Sequence, residues 1–99
     1  MNRDETPTPK QSGSYAMMQG VCEDSLRSLE RWRVKASADS PAKWLEVRRF
    51  ADRFSTLLAD VKSWADAPPG PEAKARTIES ILAARTEATA WGARWGWEL

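Results

Sequence analysis

Seven apolar residues in the middle of the chain are separated by alternating steps of three and four positions. They are Trp44, Val47, Ala51, Phe54, Leu58, Val61 and Ala65. This heptad spacing predicts one long amphipathic helix with an apolar stripe. A second line, formed by Phe50, Leu57 and Trp64, runs beside the first at a spacing of seven. Because this apolar face is wider than a two-stranded seam requires, the helix must have neighbours on two sides.

Two breaks that contain proline limit this helix and divide the chain into three segments. Ser40 precedes Pro41, which is typical of a helix start, because the serine oxygen can accept from free backbone N–H groups and proline suits the first helical position. Residues 66–71 hold three prolines and one glycine and cannot stay helical. We therefore predict helices over about residues 15–36, 41–65 and 71–91.

The flanking segments also carry apolar residues at helical spacing. In the first segment these are Tyr15, Met18, Cys22, Ser25, Leu29, Trp32 and Ala36. In the third they are Ile78, Ile81, Leu82, Ala84, Ala88, Trp91 and Trp95. Gly92 and Gly96 should loosen the end of the third helix, which we expect to fray between Trp91 and Trp97. The predicted fold is all-α: a long antiparallel hairpin plus a third, C-terminal helix.

The size of the chain favours self-association. Residues 1–14 are polar, with no apolar residue after Met1, and predict a disordered arm before a helical domain over residues 15–90. A domain this small gains only a few kcal/mol from one core. One cysteine and no histidine exclude an intrachain disulfide and a Cys/His zinc site. We expect a homo-oligomer, and the predicted interface comprises Trp44, Phe50, Phe54, Leu57, Val61 and Trp64.

The sequence contains no catalytic constellation. Without histidine there is no Ser–His or Cys–His pair, and the five glycines form no phosphate-binding pattern. Cys22 lies on an apolar stripe, where a small buried hydrophobe is the simpler interpretation than a reactive thiol. We predict a non-catalytic protein with no cofactor and no metal.

Basic residues concentrate in the middle of the chain: residues 27–53 hold eight basic and four acidic residues. The candidates for nucleic-acid contact, called here the basic band, are Arg27, Arg31, Lys35, Arg48, Arg49 and Arg53. A solvated helix face with internal ion pairs is the default interpretation. The alternative is weak, sequence-independent contact with DNA, which would show a salt-sensitive affinity.

The chain ends in WGARWGWEL, residues 91–99, which contain three of its six tryptophans. Trp91 and Trp95 are one helical turn apart and Trp97 lies off that line, so we expect that the three do not share one core. Two interpretations stay open: packing within the protein or its oligomer, and docking on a different protein, for which tryptophan is well suited. The predicted partner-binding residues are Trp91, Arg94, Trp95, Trp97 and Leu99. If this tail serves a partner, deleting it should leave stability nearly intact.

No stretch suggests a signal peptide or a membrane span, and anchoring at a membrane interface is disfavoured because only Arg94 supplies positive charge to the tail. We expect a cytoplasmic protein with no membrane contact.

The layout of hairpin and tail resembles the small terminase subunits of tailed phages and gene transfer agents. In that family the hairpin assembles rings and the tail engages the large terminase, the motor that packages DNA. The resemblance would assign residues 15–65 to the hairpin and 91–99 to the motor-docking tail. The chain departs from the family in that residues 1–14 are too short and polar for an N-terminal helix-turn-helix domain. Any DNA contact would then have to come from the basic band.

The sequence therefore predicts an oligomeric adaptor that recruits a partner protein through its tail, with weak non-specific DNA contact. One alternative is a small monomeric or dimeric inhibitor, similar to an antitoxin, that blocks one target protein. Another is a nucleic-acid-binding protein that acts through the basic band. Solution mass separates the first two, and salt dependence identifies the third.

Overall fold

The computed structural model describes the backbone of residues 7–99 and the side chains of residues 15–99. That part of the chain consists of three helices without strands: α1 (Pro7–Asp39), α2 (Pro41–Ser63) and α3 (Pro71–Ala93). The predicted all-α class is confirmed. The helices form a long, narrow body with principal dimensions of 56 × 22 × 19 Å.

Helix α1 begins earlier than the sequence led us to expect. It starts at Pro7, so residues 7–14, which we assigned to a disordered arm, belong to the helix. Both Pro7 and Pro9 fall in its first turn. Backbone N–H groups there have no acceptor within the helix, so proline removes no helical hydrogen bond. The rest of the predicted arm, residues 1–6, lies outside the described residues.

The first break is shorter than its sequence suggested. Ser40 alone separates α1 from α2, with extended backbone angles of φ −157° and ψ 147°. Its Oγ accepts a hydrogen bond from the backbone N–H of Lys43 at 3.1 Å, which is the cap that the Ser40–Pro41 pair predicted. The Ser40 N–H still donates to the carbonyl of Ala36 at 3.0 Å. The link between the two helices is short because α1 stays helical up to Asp39, the residue directly before the Ser40 cap.

The second break matches its prediction closely. Helix α2 ends at Ser63, and α3 starts at Pro71 after an extended Gly70. Glu72 lies in the first turn of α3, where a negative charge is favourable next to the positive end of the helix dipole.

The core combines the apolar stripes of all three helices. Its buried hydrophobic residues are Met18, Cys22, Leu29, Trp32 and Ala36 from α1, Val47, Phe54, Val61 and Trp64 from α2 and its cap, and Ile81, Ala84 and Ala88 from α3. The stripe predicted for α1 is therefore buried from Met18 to Ala36.

Half of the predicted oligomer interface belongs to this core. Phe54 and Val61 are 0% exposed and Trp64 is 7% exposed within a single chain, so assigning these three to contacts between copies was wrong. Trp44, Phe50 and Leu57 are half-buried and pack against the same core. The pattern identified the apolar face of α2 correctly, but α1 and α3 of the same chain cover most of it.

Helix α3 is tied to both of its neighbours by side-chain hydrogen bonds. Thr77 Oγ1 donates to Asp60 of α2 at 2.8 Å, and Arg85 Nη1 donates to the buried Ser25 Oγ of α1 at 2.7 Å. These bonds and the buried stripe of α3 show that the third helix packs within its own chain.

The burial of Phe54 predicts that Phe54→Ala lowers the free energy of unfolding by about 3–5 kcal/mol, because it leaves a cavity among all three helices. Urea unfolding followed by circular dichroism measures the change. The matched control on the same helix is Leu45→Ala, at a position that is 55% exposed, which should stay within about 0.5 kcal/mol of the wild type. A small effect of Phe54→Ala would contradict its burial among the three helices of one chain.

Candidate functional site

Five aromatic side chains form one cluster in which Trp32 of α1 is the buried centre. The Trp32 ring lies 5.9 Å from the ring centroids of both Trp91 and Trp97. Phe50 of α2 and Trp95 each meet Trp91 edge-on, at centroid distances of 5.7 Å and 6.0 Å. These separations and tilts are the ones that aromatic pairs prefer. We call these five residues the aromatic cluster.

Two of the three C-terminal tryptophans share one core, and the one outside it is Trp95 rather than Trp97, which the helical spacing had set apart from the other two. The rings of Trp91 and Trp97 are 5.8 Å apart, and both contact Trp32. Trp97 and Leu99 are half-buried against the core. Among the three, only Trp95 is exposed, with 40% of its surface in contact with solvent. Intrachain packing thus accounts for Trp91 and Trp97, and partner binding by this segment stays a prediction.

A Schellman motif brings the end of the chain back to the cluster. Gly96 has a φ of 75°, in the left-handed region that glycine adopts without a steric penalty. Its N–H donates to the carbonyl of Ala93 at 3.2 Å, and the N–H of Trp97 donates to the carbonyl of Gly92 at 2.9 Å. The reversed chain is held by a hydrogen bond of 3.0 Å from Trp32 Nε1 to the carbonyl of Glu98.

Gly92 permits the close approach of Trp32 to α3. A Cβ atom at this position would lie 2.6 Å from Cζ2 of Trp32 and 2.8 Å from the carbonyl oxygen of Trp97, both well inside van der Waals contact. The two glycines that we expected to loosen the helix end therefore define it instead. The sequence carried a signal for this, since a glycine followed directly by an apolar residue at a helix end is typical of a Schellman motif.

Lysines cover the solvent side of the cluster. Nζ of Lys43 lies 3.7 Å from the ring centroid of Trp95 and 5.8 Å from that of Trp97, and Lys43 also forms an ion pair with Asp39. Nζ of Lys35 lies 6.0 Å from the Trp97 centroid. These cation–π contacts hold Trp95 and Trp97 in defined positions. Lys43 could not be predicted as part of this site, because nothing near it in the sequence indicates contact with a tryptophan about fifty residues away.

A shallow depression of about 510 Å³ adjoins the cluster between α2 and α3, and we call it the α2–α3 depression. It is lined by Glu46, Arg49, Phe50, Arg53, Glu87, Ala90, Trp91 and Arg94. The sequence placed these residues in separate groups: Phe50 in the oligomer interface, Arg49 and Arg53 in the basic band, and Trp91 and Arg94 in the tail. The structure brings members of all three groups to one surface.

Three arginines of the basic band form ion pairs within the chain. They are Arg27 with Asp24, Arg49 with Glu46 at 2.7 Å, and Arg53 with Glu87 of α3. Exposed pairs of this kind contribute little to stability, but they reduce the positive charge that the band presents.

The other members of the band also have neighbours in the chain. Arg31 donates to Ser28 Oγ at 3.1 Å, the Arg48 guanidinium lies 5.6 Å from the Trp44 ring centroid, and Lys35 lies near Trp97. This arrangement agrees with a solvated face that carries internal pairs. DNA contact by the band stays a prediction.

Cys22 is fully buried in the core. Burial, with a smaller effect from Glu23, raises the pKa of its thiol, which disfavours the nucleophilic thiolate. Within the described residues, Cys, Asp and Glu side chains form no group of three or more that could hold a metal ion.

Comparisons with protein-family models, curated proteins and solved structures give no match. None of the helices in the described part of the chain combines the length and apolar content needed to cross a membrane.

The contact between Trp32 and Gly92 predicts that Gly92→Ala destabilises the fold by about 1–3 kcal/mol, because the added methyl group overpacks a buried ring. This loss should appear although alanine favours a helix over glycine by about 1 kcal/mol. The matched control is Gly20→Ala in α1, where a Cβ would meet no atom within 4 Å, and which should be stabilising. Urea unfolding compares the two variants. A Gly92→Ala protein as stable as Gly20→Ala would contradict the close packing.

The folded-back tail predicts that removing residues 94–99 destabilises the protein, contrary to what a detachable tail would do. The deletion uncovers Trp32 and removes Trp97 and Leu99, and burial of each large apolar side chain stabilises by about 1.5–3 kcal/mol. We expect a lower Tm and a red shift of tryptophan fluorescence. The point variant Trp95→Ala, at the exposed ring, should lower the Tm far less. An unchanged Tm after truncation would show that the tail does not belong to the core.

Proposed function

We propose that this chain is a non-catalytic cytoplasmic adaptor that recruits a partner protein through the surface around Trp95. The observation that carries the proposal is the exposed Trp95, which contacts Trp91 and Lys43 and directly follows Arg94 of the α2–α3 depression. Tryptophan and arginine are the residues most enriched at binding hot spots. A ring that is already fixed loses little conformational entropy when a partner binds.

The predicted partner-binding residues differ in burial. Trp91, Trp97 and Leu99 pack inward and position the chain end, whereas Arg94 and Trp95 are exposed. We therefore assign direct partner contact to Arg94 and Trp95, and support of that surface to the other three. The surface is preorganised rather than a flexible tail.

In the specific form that the sequence resemblance implies, α1 and α2 are the antiparallel hairpin of a small terminase subunit. Copies would then assemble through the half-buried Trp44, Phe50 and Leu57, and the partner would be the large terminase. DNA contact would be weak and non-specific, because ion pairs already engage three arginines of the basic band.

A second candidate function is a monomeric or dimeric inhibitor that blocks one target protein. The burial of Ile81, Ala84 and Ala88 of α3 within the same chain favours it, because the bundle closes without help from other copies. Light scattering on a sizing column separates the two. A defined multimer of many copies supports the adaptor, and a monomer or dimer supports the inhibitor.

Site-specific photo-crosslinking in the cells of origin tests recruitment. With benzoylphenylalanine in place of Trp95, we expect one discrete adduct with a different protein, identified by mass spectrometry. The matched control carries the same group in place of Val34, which is 63% exposed on α1, and should give no such adduct. No adduct at position 95, the same adducts from both positions, or adducts only with further copies of this chain would each reject recruitment at this surface.

A further inference from the structure

We propose that the α2–α3 depression binds a segment of a partner protein that carries a carboxylate beside an apolar side chain. The carboxylate would pair with Arg94, and the apolar side chain would pack on Phe50 and Trp91. This inference rests on the proposed function, because it specifies the chemistry of the partner that the adaptor recruits.

The charges of the depression leave one cation free to bind. Arg49 pairs with Glu46 along α2, and Arg53 pairs with Glu87 across the depression. No ion pair among the described residues involves Arg94. Three arginines against two glutamates leave one net positive charge in the lining. The guanidinium is planar and presents paired donors, so its best complement is a carboxylate bound through two hydrogen bonds.

The apolar part of the depression adjoins this charge. Phe50 and Trp91 are half-buried and meet edge-on at 61°, with Ala90 beside them in the lining. A leucine or aromatic side chain placed against these rings would remove apolar surface from water on both sides. It would also exclude water from the neighbouring Arg94, which strengthens a charge pair. One carboxylate next to one apolar side chain therefore fits the surface better than a run of acidic residues.

A nucleic acid fits the depression less well. Glu46 and Glu87 line the same surface and would repel a row of phosphates, and one net positive charge would release few counterions. Base stacking needs an open ring face, whereas Phe50 and Trp91 are half-buried against each other. The mixture of aromatic residues and arginine is instead typical of the centre of a protein–protein interface.

The test measures binding of a defined peptide to the full-length protein by fluorescence anisotropy. The probe is a labelled peptide in which leucine and glutamate recur at helical spacing, and its partner probe has glutamine in place of every glutamate. We expect saturable binding of the glutamate peptide, weaker binding of the glutamine peptide, and a rise in Kd of about tenfold for Arg94→Gln, as expected for one lost charge-assisted contact.

A matched control and a charge exchange make the result specific. Arg76→Gln changes an exposed arginine of α3 that does not line the depression, and it should bind the peptide as the wild type does. Arg94→Glu should lose the glutamate peptide and gain a peptide with lysine in place of glutamate. Circular dichroism of each variant confirms that the fold is kept.

Several results would overturn the inference. These are absence of saturable binding, equal binding of the glutamate and glutamine peptides, or equal losses for Arg94→Gln and Arg76→Gln. Binding of single-stranded DNA that depends on Arg94 while the peptide does not bind would replace it with the nucleic-acid interpretation. If the peptide does not bind but position 95 still crosslinks to a partner, recruitment at Trp95 is supported and only the ligand chemistry proposed for the depression is rejected. Peptide binding without any crosslinked partner would reject recruitment at Trp95 instead.

Discussion

The contact between the Trp32 ring and the backbone of α3 at Gly92 determines how α1 packs against the C-terminal end of the chain. Because Gly92 has no Cβ, the indole approaches the helix backbone directly, and its Nε1 reaches the carbonyl of Glu98 at 3.0 Å. The large ring therefore contributes both buried area and a satisfied polar atom. Together with Trp91 and Trp97, which also contact each other, it joins α1, α3 and the chain end into one unit.

The orientation of the exposed surface follows from this packing. The Schellman turn at Gly96 sends Trp97 inward, and the preceding Trp95 stays outside, where Lys43 lies over its ring. The same helix end places Arg94 in the lining of the α2–α3 depression. A continued helix would have carried Trp97 away from Trp32. One left-handed glycine thus separates the tryptophan that completes the core from the tryptophan that faces solvent.

Local patterns in the sequence predicted the helices well and the chain end poorly. The stripe from Met18 to Ala36 and the Ser40 cap depend on neighbours within a turn or two, so their spacing was sufficient. The hydrogen bond between Trp32 and Glu98 joins residues 66 positions apart, and helical periodicity carries no information about contacts at that separation. Phe54 shows a second limit, because a stripe identifies which face is buried but not whether the same chain or another copy covers it.

The aromatic cluster also explains how a small chain with one cysteine and no histidine holds a core together. Disulfides and metal sites restrain the ends of many small domains, and here contacts with the buried Trp32 restrain the chain end. Trp95 is the exception, because its 40% exposure leaves apolar area in water that intrachain packing does not require. Stability accounts for Trp32, Trp91 and Trp97, but not for the placement of Trp95. Of the rings in the cluster, Trp95 is therefore the one at which a substitution best distinguishes a role in binding from a role in folding.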